Sequence, residues 1–174
     1  IVDNGSSFEQ REALETQVGM IPGALFLPLN QNDGFGAGIN RAMEYLDFED
    51  DETVVISNAD ILFSIGSLES IARSLEPDNR KIVSPVVITG AAPPYSCWHR
   101  GGKLHPRLGW TELFRKKNKP SSPEDVKELE CSFLPGAVLA AKVSSLLLIG
   151  PFREDLFLYF EDADYALRAA ATGV

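Results

Sequence analysis

The chain has 174 residues, 44% of them hydrophobic and 24% charged, ordinary proportions for one globular domain with a sizeable core. Sixteen basic residues against twenty-five acidic ones leave a net charge of −9, which opposes attraction to phosphate backbones and anionic lipid and argues against nucleic acid as a partner. The longest apolar stretch, GAVLAAKVSSLLLIG, is broken by Lys142 and two serines and falls short of the roughly 20 residues that a spanning helix needs. Cys97 and Cys131 stand in no metal or disulfide spacing, and reduced thiols are the expectation.

Taken in chain order, the sequence opens in mid-strand with IVDNGSS and no initiator Met, so a first strand is expected to precede Ile1. Ser7 and Gln10 have the Ser-x-x-Gln spacing of a capping box, and FEQREALETQVG carries helical periodicity from there to Gly19. GALFLPLN reads as a buried strand, and NDGFGAGINRAM as a glycine loop opening a short helix. DFEDDE, residues 47–52, is a solvated acidic turn before the strand TVVISNAD. SLESIARSLEP predicts a helix ending before Pro77, and KIVSPVVITG a strand with an edge, a bulge or an end at Pro85. Residues 90–130 break the alternation with a Pro-, Gly-, Ser- and charge-rich excursion. Order returns with the strand CSFLPGAVLAAK, an apolar helix to Ile149, and a helix from EDADYALRAAATGV that stops at Gly173. Strands alternating with helices predict an α/β fold, a mostly parallel central sheet flanked by helices in a single domain.

The glycine loop invites a dinucleotide reading, since Gly34, Gly36 and Gly38 lie between a strand and a helix. Against it, Arg41 stands where a third small residue should let the helix pack on the strand. A second pattern explains more. Three strand ends carry polar groups: Asp3 and Asn4, Asn30 and Asn32, and Asn58 and Asp60. In an open α/β sheet a ligand lies outside the carboxyl ends of the strands, where such groups would converge. Each alone is also ordinary turn chemistry.

VDNGSS, NDGFGAGINRAM, SNAD, CWHRGGKL, LGW, PGAVLAAK and LFLYFEDADYALRAAATGV together resemble the ordered motifs of family 2 nucleotide-sugar glycosyltransferases, in particular the bacterial rhamnosyltransferase-like members. The resemblance spans nearly the whole chain, and FLYFEDADYALRA is its most specific piece. It implies a GT-A fold and inverting transfer of a sugar from a nucleotide-diphosphate donor, of UDP or dTDP type, to an acceptor hydroxyl, with Mg²⁺ or Mn²⁺. The acceptor would be a saccharide or lipid-linked glycan, the setting bacterial cell-surface polysaccharide synthesis. The implied location is the cytoplasm, with room for peripheral association of the full-length protein at the inner face of the membrane.

Residue by residue, the resemblance assigns Asp3 to the nucleoside base and Asn4 to a supporting shell behind it. The loop containing Gly36 and Gly38 matches the nucleotide-side loop, where Asn40 or Arg41 would add polar contacts. SNAD stands at the metal motif, with Asp60 the matching carboxylate and Asn58 a departure from the usual acid, suited to bonding the ribose. Asp162 matches the carboxylate that takes the acceptor's proton, with adjacent Glu161 the alternative. Asp164 and Arg168 have the i, i+4 spacing of a helical ion pair. Trp98 and Trp110 could stack on an acceptor sugar or simply pack the loops. RKKNK, 115–119, suits either a lipid-linked phosphate or a solvated loop. The competing functions are a nucleotidyltransferase and a non-catalytic nucleotide-sugar-binding domain.

Overall fold

The computed structural model describes residues 1–76, 78, 80–90, 95–114 and 128–174, and the RKKNK run lies outside them. The chain divides into two compact units, Ile1–Phe48 with Gly150–Glu161, and Glu49–Ile149 with Asp162–Val174.

In the first unit, β1 (Val2–Asn4) pairs in parallel with β2 (Leu27–Leu29), Asp3 opposite Pro28. Between them runs α1 (Phe8–Gly19), whose N-terminus is the capping box read from the sequence: the Gln10 N–H donates to Ser7 Oγ at 3.4 Å and the Ser7 N–H to Gln10 Oε1 at 3.2 Å. β2 is shorter and less buried than GALFLPLN suggests, because exposed Pro28 has no N–H to give a further neighbour. α2 (Phe35–Tyr45) starts at the glycine loop and buries Gly36, Ala37, Gly38 and Asn40.

In the second unit, β3 (Thr53–Ser57) leads through α3 (Ser67–Leu75) to β4 (Ile82–Val83). The strand expected over KIVSPVVITG breaks at Ser84–Val86 around Pro85 and resumes as β5 (Val87–Thr89). β5 pairs with β6 (Ser96–His99), and β7 (Gly102–His105) with β8 (Trp110–Leu113), each pair antiparallel, so the excursion contributes strands where its composition suggested none. β9 (Val138–Lys142) then enters between β3 and β4, antiparallel to both. α4 (Val143–Ile149) follows directly, its first N–H groups donating to the Glu52 and Asp50 carbonyls of the acidic turn at 3.0 Å each.

The expectation of a mostly parallel central sheet is therefore corrected to a mixed one. β3 and β4, joined by a helix, both oppose β9 and so run parallel to one another, as a βαβ unit requires. The slot between them is one strand wide, and the chain returning from the excursion fills it from the other end. A strand with neighbours on both edges and cover on its faces reads as a continuous apolar run. β9 does so: Val138, Leu139, Ala140 and Ala141 are all buried. Ile71 and Leu75, one turn apart on α3, pack on Ala140 with Val55 and Val83 around them. α5 (Glu161–Thr172) closes the chain; Arg168, paired within the helix with Asp164 at 2.8 Å, ties it to the end of α4 through the Ile149 carbonyl at 3.0 Å. Among the described residues no helix is long and apolar enough to cross a membrane.

Candidate active site

In the first unit the polar groups at the end of β1 meet the loop after β2. Asp3 is buried; Oδ1 accepts the Ser6 N–H at 3.2 Å and Oδ2 accepts Arg11 Nε at 3.1 Å. Hydrogen bonding from Ser6 and then the Arg11 guanidinium outweigh burial, and hold the carboxyl below the usual aspartate range. Arg11 also donates to the Leu29 carbonyl, so it links β1, α1 and the end of β2. Sequence reasoning missed Arg11. The available signal was a cation in the first turn of α1, where the helix dipole disfavours one unless an acid is near.

Asn4 knits the two strand-end loops together. Its Nδ2 donates to Asn32 Oδ1 at 3.1 Å and to the Gly34 carbonyl at 2.9 Å, and its Oδ1 accepts the Asp33 N–H at 3.4 Å. Gly38 lies beside it: a Cβ there would stand 3.6 Å from Asn4 Nδ2, ordinary contact distance. Gly36 is tighter, with a Cβ placed 2.9 Å from the Cβ of Phe152.

Asn40 and Arg41 turn toward the segment that follows Gly150. The Asn40 amide bonds both backbone groups of Phe152 at 2.9 Å and Glu154 Oε1 at 3.0 Å, while Arg41 pairs with Glu44 and Glu154, each at 3.2 Å. Glu161, the last residue of this unit, is buried.

In the second unit, β3 runs into Asn58 and Asp60, both exposed, in a loop tied down by the Asn58 N–H to the Ala137 carbonyl at 2.9 Å. Among the described residues no three His, Cys, Asp or Glu side chains gather as a ready metal cage. An exposed lone carboxylate still fits Mg²⁺ or Mn²⁺, hard ions that keep most of their shell for water and substrate oxygen.

Asp162 is half-buried at the start of α5, where Oδ2 accepts the Gly136 N–H at 3.2 Å and Oδ1 the Ala163 N–H at 2.8 Å. Burial raises its carboxyl above the usual range, against the pull of those two N–H groups. The carboxylate thus holds a fixed orientation and an enhanced appetite for a proton, which is what general base work asks of it. Gly136, just before β9, is a second residue that sequence reasoning missed; a backbone donor leaves no side-chain signature.

Trp98 sits on β6 and Trp110 on β8. Trp98 meets the buried His99 ring edge-on at 4.9 Å, and Trp110 stacks on His105 at 4.3 Å with the planes 15° apart. Each indole keeps an exposed part, 38% and 45% of the residue respectively.

An α/β chain with acidic and amide side chains at its strand ends and an acid pair opening its last helix is the arrangement expected of a sugar-nucleotide enzyme. The chain belongs to glycosyl transferase family 2, whose sequence model matches residues 1–133. Membership implies the GT-A fold. Among curated proteins it is similar to N-acetylglucosaminyl-diphospho-decaprenol L-rhamnosyltransferase of Mycobacterium tuberculosis, in strains CDC 1551 / Oshkosh and ATCC 25618 / H37Rv, at 27% identity over 197 residues. That match covers 99% of this chain and 61% of the relatives' length. The rhamnosyltransferase-like character expected from the motifs is thereby borne out.

Proposed function

We propose that this chain carries the donor-binding and catalytic part of an inverting glycosyltransferase. It would move a hexose from a UDP- or dTDP-type nucleotide to an acceptor hydroxyl in bacterial cell-surface glycan synthesis. The relatives' names describe L-rhamnosyl transfer to a saccharide on decaprenyl diphosphate, which supports an L-rhamnosyl donor and a polyprenyl-linked acceptor here. Such an acceptor would place the full-length protein at a membrane surface.

The observation that carries the reading is the setting of Asp162, half-buried, raised in proton affinity, and aimed by the N–H groups of Gly136 and Ala163. In the proposed reaction the acceptor hydroxyl gives its proton to Asp162 as its oxygen bonds the anomeric carbon. The bond from that carbon to the diphosphate breaks, its electron pair leaves with the nucleotide, and the anomeric configuration inverts. Asp3 would accept from the nucleoside, with Arg11 keeping it ionised. A divalent ion held by Asp60 and the donor's diphosphate would supply charge neutralisation for the leaving group.

Three measurements test this in the full-length protein. Asp162→Asn should lower the rate of transfer by roughly 100- to 10,000-fold while leaving nucleotide binding by calorimetry intact; loss of both would remove Asp162 from the base role. In the wild type, kcat/KM should fall on acidification through a limb lying above the ordinary carboxylate range, because the raised carboxyl must be ionised to act. Asp60→Ala should abolish the Mn²⁺ dependence of nucleotide affinity, and a dependence that survives would reject Asp60 as the ligand.

A further inference from the structure

Asn40 does something that neither the glycine loop nor the acid pair accounts for. Its amide brackets a single residue far along the chain: Nδ2 donates to the Phe152 carbonyl at 2.9 Å and Oδ1 accepts the Phe152 N–H at 2.9 Å. The second Nδ2 hydrogen goes to Glu154 Oε1 at 3.0 Å. A side chain that holds both backbone groups of one residue fixes the direction of the chain there, as a strand partner would, and burial makes the two bonds to Phe152 costly to lose.

The loop's glycines serve the same approach. A Cβ at Gly36 would lie 2.9 Å from Phe152 Cβ, and one at Gly34 would lie 2.5 Å from the Phe157 carbonyl oxygen. The Phe35 N–H donates to that same oxygen at 3.4 Å, and the Phe35 ring meets Phe152 edge-on at 6.3 Å. The segment 152–157 is therefore held against α2 at both of its ends. Beyond Leu158 come Tyr159 and Phe160, exposed at their side chains and at φ 69° and 68°, and then Glu161. Consecutive aromatic residues in the left-handed region persist only where their surroundings impose that conformation, and such strain collects near functional groups.

We propose that Asn40 is a positioning residue for the head of α5: by fixing the path of 152–157 it sets the strained turn at Tyr159 and Phe160 from which Glu161, the first acid of the pair, emerges. The proposal rests on the reading of the acid pair that opens α5 as the seat of the base.

The test is Asn40→Asp in the full-length protein. It preserves size and the acceptor for the Phe152 N–H, but sets a carboxylate oxygen against the Phe152 carbonyl and Glu154. Amide hydrogen exchange over 152–161 should quicken. The kcat for sugar transfer should drop on the order of 100-fold, the cost of misplaced groups, while nucleotide affinity and donor KM stay near wild type. Adding Glu154→Gln supplies a donor to the new carboxylate and should recover part of kcat, whereas Glu154→Gln alone should do little. Should Asn40→Asp fail to fold, Glu154→Ala removes one arm of the clamp from the exposed side and should give the same split between kcat and KM at about tenfold. A parallel fall in kcat and nucleotide affinity, or kcat intact with exchange quickened, overturns the positioning role alone. A wild type that transfers no sugar from any nucleotide donor overturns the base assignment and this proposal with it, whatever the exchange data show.

Discussion

Gly34 and Gly23 both hold backbone that side-chain-bearing residues avoid, at φ +96° and +77°, yet only Gly34 is enclosed. A Cβ at Gly23 meets nothing within 4 Å, so Gly23→Ala should cost only the left-handed strain, about 1–2 kcal/mol. At Gly34 the same methyl lands 2.5 Å from the Phe157 carbonyl oxygen, and backbone must move as well. Gly34→Ala should therefore destabilise by more than about 3 kcal/mol. Urea unfolding of the two variants checks this, and equal losses would mean that the segment at Phe157 yields freely. The need for close approach was legible in the glycines of NDGFGAGIN. What approaches was not, because Phe152 and Phe157 lie far along the chain and nothing in the pairing of Asn40 with a backbone group leaves a pattern in the sequence. The polar residues at the strand ends were legible as a set. Their protein partners, Arg11 for Asp3 and the Gly136 N–H for Asp162, depend on folding that brings distant segments together.

At the scale of elements, helices were easier to read than sheets, since a helix is specified within itself. Ser7 and Gln10 fixed the start of α1 before any tertiary contact was known. α1 buries only Val18 along its length, so little packing backs up that cap. Ser7→Ala should cost about 1 kcal/mol and Ser7→Gly only a few tenths. A shift in the urea midpoint with unchanged slope would show it, and an Ala variant as stable as wild type would mean that Gln10 alone secures the turn. Strand direction is a different kind of information. The apolar run at Val138–Ala141 announces a buried strand but does not say which way it runs, and alternation with helices suggested parallel. The antiparallel direction of β9 is settled by its pairing with β3 and β4, distant strands that leave no mark within the run itself.

For the whole molecule, charge and burial decide how stability responds to pH. The chain has only two histidines, and one of them, His99, is fully enclosed, with Nδ1 accepting the Gly101 N–H at 3.3 Å. Burial pushes its imidazole down from 6.5 to about 4, so the folded protein keeps it neutral where the unfolded chain would protonate it. The unfolded state then binds more protons below 6.5. Stability present above that value is lost as pH falls toward 4, by up to about 3 kcal/mol. Asp162 works in the opposite sense: its carboxyl is raised, so the cost of keeping it ionised in the fold disappears as acid protonates it. Asp3 is lowered, and its contribution fails only below the ordinary aspartate range. Among the described residues the imidazole thus drives stability down on acidification from pH 6.5, joined toward pH 4 by the Glu128 carboxyl, which hydrogen bonding from Ser74 and the charge of Lys81 hold below its usual range. His99→Asn keeps an acceptor near Nδ1 and cannot titrate; whatever the smaller side chain costs in packing is the same at every pH. The variant should be less stable at pH 7 but should lose much less between 6.5 and 4, as read from urea unfolding at a series of pH values. A variant with the wild-type slope would put the acid sensitivity elsewhere, in carboxylates that the fold holds ionised.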